Sequence, residues 1–183
     1  MHILLIALIL CYVLGLVLPF CVPRKPQTQG IAGSVCTCAA SLIGITFGLS
    51  GLVASEPVTA IVASPLPFLA FAVRLDPLAS LFVLTISLAG LAASIYAIGY
   101  LKEFHGRVSV AVLAALTNGF LLSMTLVVIA DNGFFFLIAW ELMSLASYFL
   151  VVTEHEKADV RYAGFFYLIM THVGTAFVVF TYL

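Results

Sequence analysis

Apolar residues run almost unbroken over six stretches of about twenty, separated by shorter polar connectors. A run of ~20 apolar residues is long enough to cross ~30 Å of hydrocarbon as a helix. The stretches fall at about residues 1–20, 31–53, 77–100, 108–130, 133–152 and 160–183. They predict an all-α integral membrane protein, one membrane domain built as a bundle of about six transmembrane helices. The first stretch, Met1 to Phe20, is too long for the apolar part of a secretory signal and has no Lys or Arg before it, so it reads as a span. The second carries Gly33, Gly44, Gly48 and Gly51, small residues that let a neighbouring helix approach closely.

The connectors differ in character. CVPRKPQTQG, after the first span, holds Arg24, Lys25 and two prolines. Residues 54–75 are fairly apolar but contain Glu56, Pro57, Pro65, Pro67 and Arg74. Three prolines argue against a seventh span, and an extended or re-entrant piece lying against the bundle is expected. Asp76-Pro77 then reads as a helix start, Asp at the N-cap and Pro at the first helical position. LKEFHGR follows the third span with Lys102, Glu103, His105 and Arg107. Asp131-Asn132-Gly133 predicts a tight turn. TEHEKAD, with Glu154, His155, Glu156 and Lys157, is the most charged piece, and its side chains are expected to be solvated or to touch a peripheral partner.

Composition narrows the class. Of 183 residues, 64% are hydrophobic and only 8% charged, against roughly 25% charged in soluble domains, which excludes an ordinary water-soluble globule. A formal net charge of -1 without a basic patch argues against a nucleic-acid partner. The charges are unevenly shared between the two ends of the bundle. Arg24, Lys25, Lys102, Arg107, Lys157 and Arg161 fall on or beside the first, third and fifth connectors, and Arg74 alone on the other side. Cytoplasmic loops carry the excess of Lys and Arg, so the odd connectors are expected in the cytoplasm and both termini outside it, in a multi-pass protein of the cell (inner) membrane. Cys11, Cys21, Cys36 and Cys38 imply no disulfide framework, and Cys36-Thr37-Cys38 reads as packing, since buried cysteine behaves as a small hydrophobe.

Candidate chemistry is concentrated in two spans. Glu141, in FFFLIAWELMSLASYFLVV, is the one acid within the spans away from an end, and His172, in LIMTHVGTAF, is the one mid-span histidine. A carboxylate at the centre of a span costs roughly 2.5–3.5 kcal/mol on insertion scales and is functional by default. Both residues fall about halfway across, and the short fifth connector makes their helices neighbours. They are therefore expected at similar depth in a polar track, with Ser144 and Tyr148 on the face of Glu141 and Thr175 on that of His172. Burial disfavours the charged form of both groups, which suits proton handling. Structural roles remain open: Glu141 holding helices or a partner's Arg, His172 as an interhelical hydrogen-bond donor, Ser144 and Tyr148 as packing. No ligand cluster or Ser/His/Asp arrangement points to a metal or to a catalytic site of the chain's own, and no cysteine-cluster spacing or Gly-rich phosphate loop points to a cofactor.

MTLVVIADNGFFFLIAWELMSLASYFLVV, together with RLDPLASLFVL, YAIGYL and FFYLIMTHVGTAF, resembles the antiporter-like subunits: the large membrane subunits of respiratory complex I, Mrp-type antiporters and group 4 hydrogenases. The wording is nearest the hydrogenase-4 component B and formate hydrogenlyase subunit 3 branch. The resemblance implies about fourteen spans in two inverted repeats with flanking helices, of which this chain matches the first part. By this resemblance Glu141 matches the glutamate that pairs with a lysine on a later, broken helix, and that lysine would follow residue 183, as for a truncated, partial or split subunit. The implied function is proton or sodium translocation driven by a redox module of hydrogenase or NADH:quinone oxidoreductase type, alongside other membrane subunits in the lipid bilayer. The alternatives are a membrane anchor for a peripheral redox module, with Glu141 structural, and a contribution to a quinone site.

Overall fold

The computed structural model describes residues 1–23, 25–54, 56–62, 71–100 and 108–181. Six helices in it are long and apolar enough to cross a membrane: α1 (His2–Cys21), α2 (Pro26–Val53), α3 (Pro77–Tyr100), α4 (Val110–Ile129), α5 (Gly133–Val151) and α6 (Ala158–Phe180). The protein is a multi-pass membrane protein. Arg24, the prolines at 65 and 67, and the third-connector residues Lys102, Glu103, His105 and Arg107 lie outside the described residues.

The second helix begins earlier than the expected boundary at residue 31. Pro26 occupies its first turn, where a missing N–H costs nothing. With 28 residues at ~1.5 Å each the helix is about 42 Å long, so its polar first turn extends past a hydrocarbon core of ~30 Å.

The expected helix start at Asp76-Pro77 is built as the sequence indicates, and the tight turn at 131–133 also caps a helix. The backbone N–H of Ala79 donates to the Asp76 carboxylate at 2.7 Å, capping α3. Asn132 caps α5, its side-chain oxygen accepting from Phe134 N at 2.8 Å and Phe135 N at 3.2 Å. Asn132→Ala should cost about 1 kcal/mol of stability, read as an earlier thermal unfolding midpoint of the purified protein.

The piece expected to lie extended or re-entrant against the bundle is extended, as two paired strands. Strands β1 (Val58–Val62) and β2 (Phe71–Leu75) pair antiparallel, from Val58 opposite Leu75 to Val62 opposite Phe71. The α4–α5 turn secures it: Asp131 N donates to Ala72 O at 2.9 Å, and the Phe71 and Phe135 rings meet edge to face, centroids 5.3 Å apart. Arg74 and Asp131 stand 4.0 Å apart and partly exposed, a pair of little energetic weight.

α1, α2 and α4 pack together, α3 lies mainly along α2, α5 along α4, and α6 along α5. The apolar core gathers Leu8, Tyr12, Phe47, Val83, Leu121 and Ile129. Close approach relies on small residues, because lipid is as apolar as any core and apolar contact alone does not favour helix pairing. Gly48 shows this best: a Cβ there would stand 2.9 Å from Ser80 O and 3.0 Å from Leu84 N, both backbone atoms of α3. Burial fades outward, from 44% of the apolar window of α4 to 17% for α5 and its short terminal turn, and 6% for α6.

Candidate functional site

α5 and α6 run antiparallel and are joined by two side-chain hydrogen bonds. Trp140 Nε1 donates to Thr175 Oγ1 at 3.1 Å, and Ser147 Oγ and Tyr167 Oη lie 2.6 Å apart. Gly164 meets Val152 closely at the connector end. By these two bonds His172 lies level with about residue 143 and Glu141 with about residue 174, roughly 3 Å apart in depth.

Glu141 is half-buried on the flank of α5, between the face that meets α4 and α6 and the exposed face of Leu142, Leu145 and Phe149. It makes no hydrogen bond or ion pair among the described residues. Ser144, one turn on, is buried. Tyr148 is half-buried, its ring packed edge-on against Phe149. Thr175 accepts from Trp140 and donates to Thr171 O at 3.1 Å. His172 lies on the exposed side of α6, its Nδ1 2.9 Å from Leu168 O of its own helix. The six helices thus bring Thr175 to α5 and leave His172 on the exposed side, without a hydrogen bond or ion pair to Glu141. Because Trp140–Thr175 is one of two bonds across this pair, Trp140→Phe should loosen α6 by about 0.6 kcal/mol, the average for an interhelical bond in a membrane. Hydrogen exchange of α6 amides measures this.

A second polar centre lies in the interior, around a residue that sequence reasoning passed over. Asn118 of α4 is fully buried. Its Oδ1 accepts from Thr37 Oγ1 at 3.0 Å, and its Nδ2 donates to Gly33 O at 3.3 Å and Ala114 O at 2.9 Å. Gly15 of α1 closes tightly against its amide. A lone amide in the span ALTNGF was a legible signal, since a polar side chain at membrane depth needs a partner. Trp140, Ser147 and Tyr167 carried no such signal, for their roles depend on how two helices are set against each other. Nearer the hairpin side, Tyr12 and Ser41 are buried with hydroxyls lacking a hydrogen bond of good geometry.

The fifth connector folds on itself. Glu154 pairs with Lys157, and Arg161 donates to the carbonyls of His155 and Glu156 at 2.8 Å each, neutralising the exposed end of the turn (Val152–Glu154) that follows α5.

Hydrogenase-4 component B of Escherichia coli K12 is 32% identical over 142 residues, 78% of this chain and 21% of its own length. NADH-quinone oxidoreductase subunit L of Mycobacterium tuberculosis is 36% identical over 106 residues, 58% of this chain and 16% of its own. F(420)H(2) dehydrogenase subunit L of Methanosarcina mazei is 29% identical over 163 residues, 88% of this chain and 24% of its own. The homologues of this chain are thus membrane subunits of hydrogenase, NADH-quinone oxidoreductase and F(420)H(2) dehydrogenase type. The chain spans about a fifth of the length of the curated relatives it matches. No protein-family model matches it. The resemblance of the WEL and DPL segments therefore extends over most of the chain, and the relatives it matches are subunits of hydrogenase, NADH-quinone oxidoreductase and F(420)H(2) dehydrogenase type.

Proposed function

We propose that this chain supplies part of the ion pathway of a redox-driven membrane complex of hydrogenase or NADH:quinone oxidoreductase type, with Glu141 as its proton-loading carboxylate. The observation that carries the reading is the setting of Glu141: mid-span, half-buried, and without a hydrogen-bonding or ionic partner among the described residues. A carboxylate held there is costly, and no structural bond within these helices explains it. The counter-charge that tunes it comes, in this reading, from a helix outside these six, meeting the flank of α5. His172 and Thr175 are placed on the same pathway as secondary members, the histidine serving only where a further helix covers it. Ser144 and Tyr148 line its approach.

The complex resides in the cell membrane, with the odd connectors on the cytoplasmic side and both termini outside. Its partners are further membrane subunits and a peripheral redox module, and this chain holds neither the cofactors nor the catalytic site. The test is Glu141→Gln in the assembled complex, with the ratio of protons moved to electrons transferred as readout. One observation favours the rival reading of a membrane anchor: α6 buries little beyond Gly164 and leaves most of its apolar residues exposed, as a helix that serves as a docking surface would. Under that reading Glu141→Gln impairs assembly and leaves the ratio unchanged.

A further inference from the structure

A groove of about 460 Å³ opens at the end of the bundle that carries the second and fourth connectors, where β2, the start of α3, the end of α4 and the start of α5 meet. The volume falls within the ~300–1,000 Å³ of small-ligand sites. Its rim carries Arg74, Asp76 and Asp131, and no other Lys, Arg, Asp or Glu lines it among the described residues. Its walls are apolar: Leu78 and Phe82 of α3, Val127 of α4 and Phe136 of α5. The rim stands at the ends of the membrane spans, hence at the headgroup level of a bilayer. The walls run inward from it. Phe82 lies about 8 Å along α3 from Pro77, at the level of the acyl chains.

Backbone bonds hold the rim in place. Asp131 N donates to Ala72 O at 2.9 Å, and Val73 bridges to Ala130, so β2 and the α4–α5 turn are tied together where Arg74 and Asp131 emerge. Asp76 is held as the cap of α3, its Oδ1 accepting from Ala79 N at 2.7 Å. The charges are nonetheless accessible. Arg74 Nη1 stands 4.0 Å from Asp131 Oδ1, with the two side chains 49% and 38% exposed, beyond hydrogen-bond range. A weak ion pair of this kind does not account for a second carboxylate beside it, nor for the apolar wall beneath, where Leu78 and Phe82 are exposed.

One guanidinium beside two carboxylates complements a zwitterion that carries one phosphate and one ammonium. A guanidinium takes phosphate oxygens in pairs, and an ammonium offers three N–H donors to carboxylates. A headgroup with a phosphate and no cation would meet two carboxylates unfavourably. A choline headgroup has the charge but no N–H to donate. We infer that this groove binds one phospholipid of the ethanolamine class, its phosphate on Arg74, its ammonium on the carboxylate side formed by Asp76 and Asp131, and one acyl chain along Leu78, Phe82 and Val127. The inference goes beyond the ion pathway and needs no role for Glu141.

The test uses the assembled complex and a phosphatidylethanolamine with a photoactivatable diazirine in one acyl chain near the glycerol. After irradiation, crosslinked peptides are mapped by mass spectrometry, with unlabelled lipids of matched chains as competitors. Crosslinks are expected within residues 78–82 and 127–136. Phosphatidylethanolamine should compete for them at least about tenfold better than phosphatidylcholine or phosphatidylglycerol, the difference that one hydrogen bond between charged groups makes. Arg74→Gln should lower these crosslinks about tenfold and leave those elsewhere on the complex unchanged. Asp131→Asn should narrow the preference over phosphatidylglycerol. Equal competition by the three lipids in the unsubstituted complex would show unselective lipid contact and overturn the inference. Labelling elsewhere with none in these two segments would show that another subunit fills the groove, and would overturn it too. The competition is read on unsubstituted protein, so it decides the matter even where a variant fails to assemble.

Discussion

Replacing Glu141 by glutamine is expected to slow proton transfer along this chain's pathway by at least about 100-fold, the lower end of what a positioned acid–base group contributes, and so to lower the proton-to-electron ratio of the assembled complex by this pathway's share. Glutamine has nearly the same shape and retains hydrogen-bonding capacity, but it has no proton to give up in the working range. The substitution also removes a carboxylate whose insertion costs roughly 2.5–3.5 kcal/mol, so the variant helix should insert and pack at least as well as the original. Loss of translocation with normal subunit content then has a chemical cause. Glu141→Asp, which keeps the proton but draws it back by one methylene, should retain a measurable fraction of the ratio. His172→Ala should have the smaller effect, because its ring lies on the exposed side of α6. Measurement is by proton uptake into inverted vesicles alongside electron-acceptor reduction in the same preparation.

The second large effect is structural. Gly48→Leu should prevent stable packing of α2 on α3. Even the first added carbon would sit 2.9 Å from Ser80 O and 3.0 Å from Leu84 N, and backbone atoms cannot swing aside as a side chain would. Overpacking in a core typically costs 1–3 kcal/mol, occasionally more, and a whole leucine at this contact belongs at or above the top of that range. Gly99→Leu is the matched control: a Cβ at Gly99 meets nothing within 4 Å among the described residues, and no loss is expected. Thermal unfolding of the two purified variants, followed by accessibility of Cys36 and Cys38 to a thiol reagent, separates them. Equal midpoints would mean that α2 and α3 do not approach as closely as the structure has them.

The candidate site was legible to different depths at different residues. Glu141 announced itself because an acid amid about twenty apolar residues has a cost that invites a reason. The neighbourhood of α5 and α6 followed from the short fifth connector, and their contact is present. The outward position of His172 was not legible. Along α6 the side that meets α5 is a stripe of small and hydroxyl residues, Gly164, Tyr167, Thr171 and Thr175, and His172 lies just off that stripe, so its own polarity pointed to the wrong side. Asn118 carried the same kind of signal as Glu141, a polar side chain at membrane depth, and the interior polar cluster follows from it. The choice of Thr37 and Gly33 as its partners depends on residues some 81 to 85 positions away in sequence.

By itself the sequence determined what each segment is: six spans from the length of the apolar runs, the cap at Asp76, the turn at Asn132, and the glycines of α2 as points of close approach. These are local properties, fixed by the transfer cost of side chains and by the few conformations available over three or four residues. The tertiary structure decided which faces meet. It turned residues 58–62 and 71–75 into a hairpin on the α4–α5 turn, set Trp140 against Thr175, left His172 outside, and brought Arg74, Asp76 and Asp131 to the rim of one groove. In a bilayer the surroundings of a helix are as apolar as its neighbours, so burial leaves little trace in the pattern of residues. Shape and a small number of hydrogen bonds between distant segments then select the arrangement.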